Sequence, residues 1–123
     1  MIDFDKEFLD LAPTKKDGYY EFVLPVCMSL SWSRLVLRLL PLEDGGYIVS
    51  DDGGFMGDRG NNTTEFYYNH YVKNSIYPHY GIKLKDDVFY KRYDEGYSPV
   101  AALSDFARFF IKLEEHIDMN GIL

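Results

Sequence analysis

Residues 42–58 read LEDGGYIVSDDGGFMGD, and how this stretch folds decides the architecture. From Glu43 to Asp58 it holds five carboxylates (Glu43, Asp44, Asp51, Asp52 and Asp58) and five glycines, with no Lys or Arg. Two turn signals, Glu43-Asp44-Gly45-Gly46 and Asp51-Asp52-Gly53, bracket the short run Tyr47-Ile48-Val49. That pattern places a strand between two acidic turns and makes the preceding apolar run its hairpin partner.

The preceding run, Ser31 to Leu40, alternates. Trp32, Arg34, Val36, Arg38 and Leu40 share one face, and Leu35, Leu37 and Leu39 share the other. A helix fits part of this pattern, but Pro41 and the turn at 43–46 follow at hairpin distance, which favours a strand. Tyr19 to Leu24 reads as a further strand ended by Pro25, after a turn at Lys15-Lys16-Asp17-Gly18. Asp3 is placed to cap a short N-terminal helix running to about Leu11, with Pro13 stopping it.

Beyond the stretch, Asp51 to Asn62 reads as a glycine-rich loop. Thr63 or Thr64 then caps a helix containing Phe66, Tyr67, His70 and Tyr71 that breaks before Pro78. Tyr80–Leu84 and Val88–Tyr93 form a second hairpin about Lys85-Asp86-Asp87. Ser98 and Pro99 are the N-cap and first residue of the longest helix, with an expected apolar stripe of Val100, Leu103, Phe106, Ala107, Phe110, Ile111 and Ile117. The fold expected is α+β: one domain over residues 1–123, an antiparallel meander of four or five strands, and helices packed on one face. A short N-terminal helix and a long C-terminal helix frame it.

Composition bounds the function. The 123 residues carry 46% hydrophobic side chains, enough for one core, and a net charge of −7. Phosphate binding draws on clustered Lys and Arg, so direct contact with nucleic acid is not expected. The charge favours a basic protein partner. Eleven Tyr and nine Phe exceed what so small a core can bury with every hydroxyl satisfied, so some tyrosines are expected at a contact surface. The single cysteine excludes an internal disulfide. No apolar run reaches membrane-spanning length and the first residues are acidic, so the protein is expected to be cytoplasmic, with no membrane partner.

The strand, turn and Asp-Asp-Gly loop Tyr47-Ile48-Val49-Ser50-Asp51-Asp52-Gly53, followed by Tyr80-Gly81-Ile82, a strand pair and a final helix, resembles the domain-of-unknown-function family numbered 1828. The resemblance covers roughly residues 20 to 118. It departs at Gly54-Phe55, where an aromatic or hydroxyl residue is more usual. The resemblance implies a setting in bacteria, prophages and mobile elements, and it carries no activity.

Catalytic motifs are missing from the sequence. The serines at 29, 31 and 33 lack a nucleophile elbow, Gly53, Gly54 and Gly57 lack the downstream Lys-Ser/Thr of a phosphate loop, and Cys27 sits in an apolar run without a base. A hard cation could use Asp51, Asp52 and Asp58; the competing reading is a turn in which Asp51 caps backbone amides. Zinc could use His70, His79 and Cys27, although none forms a close ligand pair. The remaining pattern is acid interleaved with aromatics: Glu43, Asp44, Asp51, Asp52, Asp58, Asp86 and Asp87, with Tyr90 and Tyr93 as anchors, and further acidic pairs at Asp94-Glu95, near Tyr97, and at Glu114-Glu115. The expectation is a small, acidic, non-enzymatic interaction protein. In size and charge it is similar to phage-encoded anti-CRISPR inhibitors, which bind a type II RNA-guided nuclease and block DNA loading or cleavage. The alternative is a metal-binding domain or metal-dependent enzyme.

Overall fold

The computed structural model describes residues 2–7, 13–27, 34–54 and 80–119. Six strands form one antiparallel sheet: β1 (Thr14–Lys15), β2 (Tyr20–Cys27), β3 (Arg34–Pro41), β4 (Tyr47–Ser50), β5 (Lys83–Lys85) and β6 (Val88–Tyr93). Their order is β1-β2-β3-β4-β6-β5. One long helix, α2 (Pro99–Met119), follows β6, and α1 is a single turn, Phe4–Glu7.

The alternation in residues 34–40 forms a strand because its two faces meet different surroundings. Leu35, Leu37 and Leu39 are buried, while Arg34 and Leu40 are exposed and Val36 and Arg38 half-buried. Phe22 opposes Leu37 and Tyr20 opposes Leu39, so the inner faces of β2 and β3 make one apolar row. Val49 lies opposite Leu39, and Tyr47 pairs Pro41 on one side and Tyr93 on the other.

Against this face α2 sets Ala102, Leu103, Phe106, Phe109, Phe110 and Leu113, spaced at three and four residues. Phe89 of β6 meets Phe109 and Phe110 at ring-centroid distances of 5.6 and 5.3 Å, the second edge-to-face. Burying each such phenyl ring contributes about 2–3 kcal/mol. Among the described residues no helix is long and apolar enough to cross a membrane.

The α+β class and antiparallel sheet agree with the sequence, and several details are corrected. The sheet has six strands where four or five were expected, because Thr14–Lys15 adds a two-residue edge. Of the N-terminal helix expected to Leu11, the described part is the one turn Phe4–Glu7, where Asp3 Oδ1 accepts the Lys6 amide at 3.2 Å, and residues 8–12 lie outside the described residues. Pro25 does not end β2. The β2–β3 register shifts between Val23 and Cys27, and such an irregularity tolerates a residue lacking an amide hydrogen.

The simple meander also fails, since β6 and not β5 pairs with β4. The second hairpin docks by its C-terminal strand, whose Phe89 and Tyr93 face the core. The helix stripe is rotated relative to expectation. Val100 and Ile111 are about 40% exposed, and Phe109 with Ala102 takes the inner face. The expected helix from Thr63, with Phe66, Tyr67, His70 and Tyr71, and the stop at Gly121 lie outside the described residues, as does the side chain of Ile117.

Candidate functional site

The acidic stretch that is continuous in sequence is split in space. β4 is four residues long, so the turn at Glu43-Asp44 and the exit at Asp51-Asp52 stand ~13 Å apart, at opposite ends of the sheet. A second loop joins each end.

At the first end, the 42–46 turn lies against the loop between β6 and α2. Leu42 and Gly46 close the turn with an amide-to-carbonyl hydrogen bond of 2.8 Å, and Asp44 Oδ1 accepts the Gly46 amide at 2.9 Å. Gly45 has φ of +93°, and a Cβ there would run into the Glu95 carboxylate. A Cβ at Gly46 would stand 2.7 Å from the Tyr93 carbonyl oxygen. Two glycines therefore let two acidic loops touch. The Arg92 guanidinium bridges the two loops, donating to Asp44 Oδ2 and, at 3.2 Å, to Asp94 Oδ1, with Glu43 and Glu95 next to these acids in the chain. The Asp94 side chain remains 91% exposed.

At the second end the acids are structural or paired. Asp51 is 3% exposed, and its Oδ1 accepts the Phe89 amide at 2.9 Å and the Gly53 amide at 3.0 Å. Asp52, at φ +52°, turns out to solvent and its Oδ2 lies 3.0 Å from Arg38 Nη1. The Arg38 Nε stands 3.5 Å from Glu21 Oε2, in ion-pair range but not aligned as a hydrogen bond, and its guanidinium covers the Tyr19 ring at 4.9 Å. Asp86 and Asp87 form the two-residue turn between β5 and β6 with φ of +51° and +66°. Positive φ at both positions is the hairpin geometry that matches strand twist.

Behind the first end stands a column of tyrosines. Tyr93 stacks on Tyr47 (5.4 Å between centroids, 15° between planes) and on Tyr97 (5.1 Å, 29°). Tyr47 donates its hydroxyl to the Tyr97 carbonyl at 2.6 Å, and Tyr97 donates to Asp105 Oδ2 at 2.5 Å. The Tyr93 hydroxyl is buried and has no hydrogen-bond partner. Burial foremost, with the Asp105 carboxylate adding to it, pushes that hydroxyl far above the usual phenol range. Tyr97 is shifted upward chiefly by its hydrogen bond to Asp105. The Lys91 ammonium, held by the Tyr80 carbonyl at 2.8 Å, sits 4.8 Å from the Tyr93 ring centroid.

The expected contact residues therefore divide. Glu43, Asp44, Asp52 and Asp86 are exposed, and Asp87 and Tyr90 are half-buried. Asp51 and Tyr93, expected at a surface, are core residues, because one closes the β4–β6 ladder and the other faces α2. Asp58, His70 and His79 lie outside the described residues, as does the Cys27 side chain. Among the described residues no group of three His, Cys, Asp or Glu is placed to hold a metal ion. Arg92 and Asp105 went unread in the sequence, and Arg38 was read only for its place on a strand face. Alternation along β6 places Val88, Tyr90 and Arg92 on one face, which was the available signal for Arg92.

No protein-family model, no curated protein and no solved structure matches the chain.

Proposed function

We propose that this is a non-enzymatic interaction protein whose acidic end, built from the 42–46 turn and the 94–97 loop, docks on a basic surface of a partner protein. The observation that carries this reading is the pairing of two acidic loops around a single guanidinium. Asp44 and Asp94 share the Arg92 guanidinium, and each has a further acid beside it in the chain, Glu43 and Glu95, so a local negative field reaches solvent. Exposed Tyr97 and Val100 lie beside these acids and offer apolar contact area.

A type II RNA-guided nuclease is the partner class we put forward. Its channel is lined by Lys and Arg to hold nucleic acid, and a carboxylate-rich surface can occupy it and block DNA loading or cleavage. A prophage or mobile-element origin, implied by the resemblance of residues 20 to 118 to a family found there, suits such an inhibitor.

The test is binding to a purified nuclease of this type over a salt series, with a DNA-cleavage assay in parallel. Binding that weakens steeply with salt, and that Glu43→Lys/Asp94→Lys abolishes while the protein still melts cooperatively, supports the reading. Binding that ignores both salt and the double substitution removes charge-driven docking. No binding and no inhibition removes the nuclease as partner.

A further inference from the structure

Two residues of the apolar stripe expected on α2 stay outside the core: Val100 is 42% exposed and Ile111 39%. At about 100° per residue, Val100, Ser104, Ala107 and Ile111 fall on one side of the helix, away from the buried Phe106, Phe109 and Leu113. Ser104 and Ala107 are half-buried. Steps of four, three and four residues separate these positions, which is the spacing of a seam between two packed helices. The seam is also symmetric. Read from either end it runs large, small, small, large, with its midpoint between Asp105 and Phe106.

We infer that α2 pairs antiparallel with α2 of a second copy of this chain, about a two-fold axis crossing the helix at that midpoint. A two-fold contact needs a surface complementary to itself, and a seam that reads the same in both directions is one. Val100 then meets Ile111 of the second copy and Ser104 meets its Ala107, each contact occurring twice. The small central pair lets the helices approach closely, and the large residues fill the gaps on either side of the crossing. Charge favours this register. The exposed Arg108 comes within one helical turn of Asp105 of the second copy, so two opposite-charge pairs flank the crossing. Lys112 and Glu115 meet the second copy's 94–97 loop with opposing effects. A parallel pairing would instead set the two acidic ends side by side, which the −7 charge of each copy opposes. Four seam residues a side cover less than the ~800 Å² per partner of a standard interface, so the dimer is weak, dissociating on the order of 100 µM. It stands independently of the acidic-end reading. The two surfaces share Val100, so a docked partner and a second copy exclude each other there.

Sedimentation equilibrium of the full chain, from roughly 10 µM to 1 mM at about 0.15 M salt, tests this. The average mass is expected to climb from 14.4 kDa toward twice that value. Ile111→Glu, at an exposed position that leaves the core untouched, is expected to weaken association at least about tenfold, with its thermal melt as the control for folding. Register is read by mild oxidation of a Ser104→Cys chain mixed with an Ala107→Cys chain, the unaltered chain with its single thiol Cys27 serving as the blank. The mixed cross-linked dimer is expected to exceed either like-with-like dimer. A mass that stays at 14.4 kDa across the range overturns the inference, as does an Ile111→Glu chain that associates like the unaltered one. Like-with-like cross-links in excess overturn the antiparallel register. None of these results bears on nuclease binding through Glu43 and Asp94, so the two readings fail separately.

Discussion

Asp51 Oδ1 accepts the Phe89 amide at 2.9 Å while the Asp51 amide donates to the Phe89 carbonyl at 3.1 Å. A side-chain oxygen thus replaces the main-chain carbonyl at the point where β4 leaves the ladder. The Asp51 carbonyl is turned away to accept the Gly54 amide at 3.0 Å, and the carboxylate takes up the sheet bond it vacates.

Removing this carboxylate leaves the Phe89 and Gly53 amides without that acceptor. Asp51→Ala is expected to lower stability by about 3 kcal/mol, and Asp51→Asn, which keeps one carbonyl oxygen, by about 1 kcal/mol. Urea unfolding followed by circular dichroism measures both. Equal losses would mean that charge, and not the acceptor, holds this corner.

Asp86 sits at φ +51°, where a side chain is strained and glycine is not. Asp86→Gly is expected to raise stability by about 0.5–1 kcal/mol, the left-handed penalty less the added freedom of the unfolded chain. A thermal melt reads this as an increase of a few degrees, on the order of 2–4 °C. A drop would assign the Asp86 carboxylate a contact worth more than the strain.

Tyr93 and Tyr97 both hold their protons more tightly in the folded protein than in the unfolded chain. The sign follows: above about pH 10 the unfolded chain gives up protons that the fold retains. The stabilisation is fully present below that value and is lost as pH climbs toward the folded values. Unfolding curves at about pH 9 and about pH 11 should therefore differ, and Tyr93→Phe should reduce the difference. A pH response unchanged in that variant would count against Tyr93 as its source.

Arg92 is the cation between Asp44 and Asp94, and its side chain is half in solvent. Arg92→Gln is expected to cost under about 1 kcal/mol, less in high salt. It removes one positive charge from the acidic end, so association with a basic protein should accelerate a few-fold at low salt. Stopped-flow association rates check this; a slower rate would place Arg92 inside the contact as an attractive group.

Much of the fold was legible because its signals are local. The alternation of Leu35, Leu37 and Leu39, the turn glycines at 45 and 46 and the Ser98-Pro99 start of α2 each act over a few residues. The helix phase was less legible. Val100 and Phe109 are both apolar, and only packing against the sheet selects which of them is buried. The candidate site was half visible. Its acids stand in the sequence as a row, but a row says nothing about which carboxylate folds inward.

By itself the sequence determined an acidic α+β chain with carboxylates at its turns, because turn chemistry and side-chain period are properties of neighbouring residues. Tertiary structure alone decided what each carboxylate does. Asp51 and Asp52 are adjacent, yet one is buried under Phe89 and the other faces Arg38, since successive residues leaving a strand point to opposite sides. The pairing of β4 with β6 likewise brought Asp94 and Glu95 beside Glu43 and Asp44 across some fifty residues of chain. Pairing over that separation depends on which strand buries Phe89 and Tyr93 against α2, and no local pattern encodes it.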